Sequence, residues 1–177
     1  MRIELHFGDI TEYVADCIVN AGRPSLLGGG GVDGAIHKKA GEELIEYCKT
    51  LGGCSVGQVK LSPGFNLPSK NLIHTVGPKY LFKTDSEVED LRNCYLNSLE
   101  LAKKNEFKTL VFSNISTGAY GFPKDLASNI SFETVVSFLN ENNFPEKVIF
   151  CCYDIENLEL YMNLLKVKLW EDYLYTS

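Results

Sequence analysis

Four consecutive glycines, Gly28 to Gly31, stand between an apolar segment and a helical one, and few folds have a use for them. Glycine loses more backbone freedom on folding than any other residue, so such a run persists where the backbone must come very close to something. Helix-forming residues follow at once, from Ala35 to Ala40. A glycine run feeding a helix presents bare N–H groups at the positive end of the helix dipole, which is an anion site, most often for phosphate. One carboxylate, Asp33, lies inside it. Asp33 either caps a helix that opens at Gly34 or orients a water or a ribose hydroxyl beside the phosphate.

Around this loop, short apolar runs alternate with helical periods. Strands are read at 2–7, 17–20, 56–61, 71–76, 109–112 and 147–152, and helices at about 34–51, 87–104, 125–141 and 156–166. The tail 167–177 carries no clear signal. Interleaved strands and helices mean an α/β layer fold, whose ligands sit beyond the carboxyl ends of the strands. The length of 177 residues, with 45% hydrophobic and 23% charged residues, fits one domain over 1–177 with a real core. A net charge of −6 speaks against non-specific binding to nucleic acid or anionic membrane. The N-terminus alternates like a strand and lacks the apolar core of a signal peptide. The six cysteines show no Cys-x-x-Cys spacing and read as reduced, which implies a cytoplasmic setting, no zinc site and no cofactor.

Gly29, Gly31 and Gly34 match G-x-G-x-x-G. The tight strand-to-helix turn of a dinucleotide fingerprint is missing, though, and position 54, where its acidic residue belongs, is Cys54. A second loop, Ser116-Thr117-Gly118-Ala119-Tyr120-Gly121, offers hydroxyls and successive N–H groups suited to a diphosphate. Otherwise it is a plain turn before a helix opened by Pro123. Asp9 is a turn residue, or an acceptor for the exocyclic amine of a base. Tyr153 is core, or a stacking face. His74 reads as a satisfied core histidine, and His37, beside two lysines, as a surface residue. A Cys54/His74 nucleophilic pair lacks an orienting motif.

Five segments together resemble the macrodomain family, in its MacroD-type branch, over about residues 3–165. They are Gly8-Asp9-Ile10-Thr11, Ile18 to Ala21 with Leu26 to His37, Ile73-His74-Thr75-Val76-Gly77-Pro78, Ile115 to Pro123, and Cys152 to Asn157. The resemblance implies a three-layer α/β/α sandwich with a mixed, mostly parallel sheet of about six strands. It implies a cleft for ADP-ribose and hydrolysis of ADP-ribose esters, on acidic protein side chains or in O-acetyl-ADP-ribose. It further implies that Asp9 accepts the adenine amine, that Ile10 offers backbone and that Tyr153 packs on adenine. Asn20 joins the ADP-ribose site. Gly30, Gly31 and Val32 would cradle phosphate, Ser116, Thr117, Gly118, Ala119 and Tyr120 would wrap the diphosphate and distal ribose, and Asp33 would be the catalytic carboxylate. The expected partners are ADP-ribose and ADP-ribosylated proteins or metabolites, with no membrane, and the expected state is a monomer.

One departure stands out. Where the family usually carries Asn-Ala-Ala-Asn or Asn-Ala-Gly-Asn, this chain has Asn20-Ala21-Gly22-Arg23. A small two-way hydrogen-bonder has become a long donor-only cation. Arg23 either pairs with Asp33 and weakens it as a base, or swings out, or binds the diphosphate. Because Arg23 replaces the usual active-site Asn, the alternative is an ADP-ribose-binding reader with little or no turnover.

Overall fold

The computed structural model describes residues 2–176, with side chains through residue 170. Six strands form one sheet: β1 (Ile3–Phe7), β2 (Cys17–Ala21), β3 (Val59–Pro63), β4 (Asn71–Thr75), β5 (Thr109–Phe112) and β6 (Lys147–Cys152). Their spatial order is β1-β6-β5-β2-β4-β3, parallel throughout except for the antiparallel pair β3/β4. Among the described residues the α-helices are α1 (Gly31–Ala40), α2 (Glu42–Leu51), α3 (Asp85–Lys104), α4 (Lys124–Glu141) and α5 (Ile155–Thr176). α5 runs through the segment 167–176 that the sequence left unassigned.

Side chains alternate across a strand, and the central strands are apolar on both faces. Val19 and Cys17 of β2, with Phe112 and Phe150, pack under α3, α4 and α5. Ile18 of β2, with Leu72, Val111 and Ile149, packs under α1 and α2. The result is a three-layer α/β/α sandwich, as expected. Burying each large aliphatic side chain stabilises such a core by about 1.5–3 kcal/mol before entropy is set against it.

Two local differences from the sequence reading have clear causes. The single helix read over 34–51 is two helices, because Gly41 takes φ +95°, and a Cβ there would lie 2.7 Å from the Asn66 amide. The strand read over 56–61 starts later, at Val59, because 55–58 forms a turn with Gly57 at φ +76° and Gln58 N–H donating to Ser55 O. No helix among the described residues is long and apolar enough to cross a membrane.

Candidate functional site

The carboxyl ends of β1, β2, β5 and β6 open into one cleft of about 690 Å³, within the usual range of ligand sites. The loop after β2 and the loop after β5 form its walls. Gly8-Asp9-Ile10 after β1 and Tyr153-Asp154 after β6 close its far end. Both glycine loops therefore face the same cleft. Of the residues named from sequence for binding or catalysis, all but Asn20 line it, and so does Arg23.

The first wall is built on the start of α1. The helix opens at Gly31, three residues earlier than the Gly34 start read from sequence. Gly31 sits at φ +59°, a conformation that side chains rarely adopt. A Cβ on Gly34 would press to 2.5 Å from the Gly29 carbonyl, so only glycine lets the loop fold back on the helix. Asp33 consequently lies inside the first turn and is not the cap, which is Gly30. Asp33 is 3% exposed and lines the cleft. Asn20 Nδ2 donates to Asp33 Oδ1 at 2.7 Å, while Asp33 Oδ2 has no partner among the described residues. Asn20 itself is fully buried, and lies beneath the cleft floor rather than on it.

His37, read as a surface residue, is buried instead. One helical turn after Asp33, it brings Nε2 to 3.5 Å from Asp33 Oδ1. The two flanking lysines misled the reading, but the i,i+4 spacing from Asp33 was available to find it. Burial lowers the His37 pKa, opposed in part by the Asp33 carboxylate.

His74 is the core histidine expected, fully buried on β4 in register with Asn20 of β2. It faces Cys48 at 3.7 Å, rather than the Cys54 of the candidate nucleophilic pair. Burial pushes all six thiols up, Cys48 to about 11, so none of them is a ready thiolate. The sequence showed no Cys/His cluster, yet folding brings donor atoms of His37, Cys48 and His74 within 4.8 Å of one another. That is three donors where a closed zinc site takes four. Both His74 nitrogens are already engaged, with Asn20 and with Ser62.

The second wall is the turn after β5. Ser116 adopts φ +66° and its buried Oγ has no partner among the described residues. Gly77, after β4, makes room for it, since a Cβ there would overlap Ser116 Oγ. Thr117 Oγ1 donates to Asn114 O, and Tyr80 N–H donates to Tyr120 O. Gly118 has open space around it.

At the far end Asp9 Oδ1 accepts the Thr11 N–H, so the residue does serve its local turn while lining the cleft. Tyr153 is 80% exposed, leaving its ring free to stack. Lys124 and Asn157, which the sequence reading missed, also line this end. Lys124 is paired with Asp154 at 3.0 Å and Glu156 at 2.7 Å, and Asn157 bonds Asp154. Arg23 is exposed, and no ion pair joins it to Asp33 among the described residues. Both groups border the space that a Cβ on Gly29 would fill, 3.0 Å from Asp33 Oδ2 and 3.1 Å from Arg23 Nε.

An α/β/α sandwich with amide-rich loops at the carboxyl ends of parallel strands defines a class of phosphate-ligand binders. Within that class, residues 19–131 match the Macro domain family, and the chain belongs to it. An O-acetyl-ADP-ribose deacetylase of Enterobacter sp. is 49% identical, the alignment covering 93% of each chain. A macrodomain of Oceanobacillus iheyensis with MES bound superposes with a TM-score of 0.91 at 40% identity, over 96% of this chain and 93% of that one. A Trypanosoma brucei macrodomain in complex with ADP-ribose gives a TM-score of 0.87 at 37% identity, over 93% of this chain and 69% of that one.

Proposed function

We propose that the chain is a hydrolase of ADP-ribose esters, acting on O-acetyl-ADP-ribose and on mono-ADP-ribosylated acidic side chains. One observation carries this reading. Asp33 lines the cleft with one oxygen held by Asn20 and the other, buried, without a partner among the described residues, beside the amides that open α1. The name of the Enterobacter relative and the ADP-ribose bound by the Trypanosoma brucei macrodomain support the same substrate.

The diphosphate lies across the amides of Gly30, Gly31 and Val32 and the turn from Ser116 to Tyr120. Adenine packs on Tyr153 with its amine on Asp9, near the Ile10 backbone. This places the distal ribose by Asp33. The Asp33 carboxylate orients a water and takes its proton as the oxygen adds to the ester carbonyl. The bond from the acyl carbon to the ribose oxygen then breaks, and the proton goes to that oxygen. An ester is a modest hydrolytic target, so positioning plus a carboxylate base meet its demands.

A reader with little turnover is the competing reading, and Arg23 was its basis. The exposed guanidinium is not paired with Asp33 among the described residues, which favours the enzyme. The test is release of ADP-ribose from a glutamate-modified protein and acetate release from O-acetyl-ADP-ribose. Turnover is expected from the natural chain. A folded chain that binds ADP-ribose but releases nothing from either substrate overturns the hydrolase.

A further inference from the structure

Among the described residues Asn20 is the one neighbour that donates a hydrogen bond to Asp33, and something must decide which way its carboxamide points. Its Nδ2 is 2.7 Å from Asp33 Oδ1 and 3.3 Å from His74 Nδ1. A reversed amide would set its oxygen against a carboxylate oxygen, two acceptors with no proton between them. The observed amide instead spends both hydrogens, one on Asp33 and one on the imidazole. His74 Nδ1 must then be the bare, accepting nitrogen. Its other nitrogen, Nε2, lies 2.9 Å from Ser62 Oγ, and Ser62 gives its own proton to Pro63 O at 3.1 Å. The serine oxygen is thus an acceptor for Nε2–H. Every proton in the chain Pro63–Ser62–His74–Asn20–Asp33 has one direction.

We infer that His74 is a positioning residue, a neutral Nε2-protonated imidazole that fixes the Asn20 amide and so ties down Asp33 Oδ1 while leaving Oδ2 without a hydrogen-bond partner among the described residues. The inference rests on the role given to Asp33 above. The ring is enclosed: His37 approaches with ring centroids 6.2 Å apart, Cys48 lies at 3.7 Å, and Asn20 and Ser62 take its two nitrogens. Burial, then the neighbouring His37, lowers the His74 pKa to about 3, so the ring stays uncharged at neutral pH.

Two substitutions separate positioning from packing. His74→Asn sets an oxygen near the Nδ1 position and keeps an acceptor for Asn20. His74→Gln reaches towards Nε2 and keeps the Ser62 bond instead. His74→Asn is expected to keep kcat within about threefold and His74→Gln to lose between about ten- and a hundredfold, with KM and ADP-ribose affinity little changed. Equal losses in both variants, or losses that only follow their melting temperatures, overturn the inference. Nitrogen-15 NMR of the natural chain gives a reading that needs neither turnover nor a variant. The His74 ring is expected as the Nε2–H tautomer from pH 8 to pH 5. An Nδ1–H tautomer or a charged ring in that range overturns it. A chain that shows this tautomer but turns over neither ester would sink the hydrolase while leaving the hydrogen-bond chain standing.

Discussion

On one wall of the cleft the Asp33 carboxylate is held from behind. Asp33 is tied to Asn20, Asn20 to His74 and His74 to Ser62, all of them buried. On the other wall the turn from Ser116 to Tyr120 is shaped by backbone conformation and by the space left at Gly77. There the Ser116 hydroxyl has no partner among the described residues, and Gly118 stands open. The difference fits the roles proposed for the two walls. A carboxylate that moves a proton has to be oriented in advance, because a misplacement of about 1 Å costs about a hundredfold in rate. A diphosphate has many equivalent oxygens, and a row of amides can grip it in more than one way.

The strongest way to break this contrast is Asp33→Ala. Removing a general base costs about 10²- to 10⁴-fold in turnover, while ADP-ribose affinity should fall much less. Single-turnover rates beside calorimetric binding would show it. Equal losses in both would mean that Asp33 grips ligand as the other wall does. The matching change on the second wall is Gly77→Ala. The new methyl overlaps Ser116 Oγ and comes to 2.7 Å from Ile115 Cγ2. Overpacking of this kind costs about 1–3 kcal/mol of stability. Displacing the turn should also weaken ADP-ribose binding more than it slows bound substrate. A variant that loses stability but binds as before would detach Ser116 from the grip.

How much of each wall could be read from sequence differs in the same way. The strands were legible because runs such as Cys17-Ile18-Val19 and Val148-Ile149-Phe150 are apolar on both faces, and both loops were legible from their glycines. The break at Gly41 was not, since it depends on Asn66 from a distant loop. Asp33 was legible as a group of interest, but not its place in the first turn, because the helix start is set by Gly31 at positive φ. Asn20 and His74 are 54 positions apart, and only the parallel pairing of β2 with β4 makes them neighbours. The strain at Ser116 likewise depends on Gly77, which sits on another strand end.

Acid should distinguish the walls too. His74 has a folded pKa of about 3 against an ordinary value of 6.5, so between those limits the unfolded chain binds the extra proton. Its contribution is complete above pH 6.5 and is lost as pH falls towards 3. At about 1.4 kcal/mol per pH unit, roughly 2 kcal/mol goes between pH 6.5 and pH 5. His37, also lowered by burial, acts in the same direction. Denaturant midpoints at the two pH values would measure this, and His74→Gln should flatten the dependence. An unchanged slope in that variant would place the acid sensitivity elsewhere.

The smallest effect sharpens the boundary between the walls. Arg23 stands on the rim of the first wall, but it resembles the second: exposed, and joined to Asp33 by no ion pair among the described residues. An exposed cation facing a diphosphate contributes at most about 1 kcal/mol, so Arg23→Asn should weaken ADP-ribose binding by less than about fivefold. That loss should shrink as salt screens the charge. Turnover of bound substrate should hardly change, because the hydrogen bond that holds Asp33 comes from Asn20 beneath it and not from Arg23. A steep rise in turnover with unchanged affinity would be a different result. It would mean that the guanidinium reaches past Gly29 to Asp33 when ligand is bound, and that the natural chain is closer to a reader than to an enzyme.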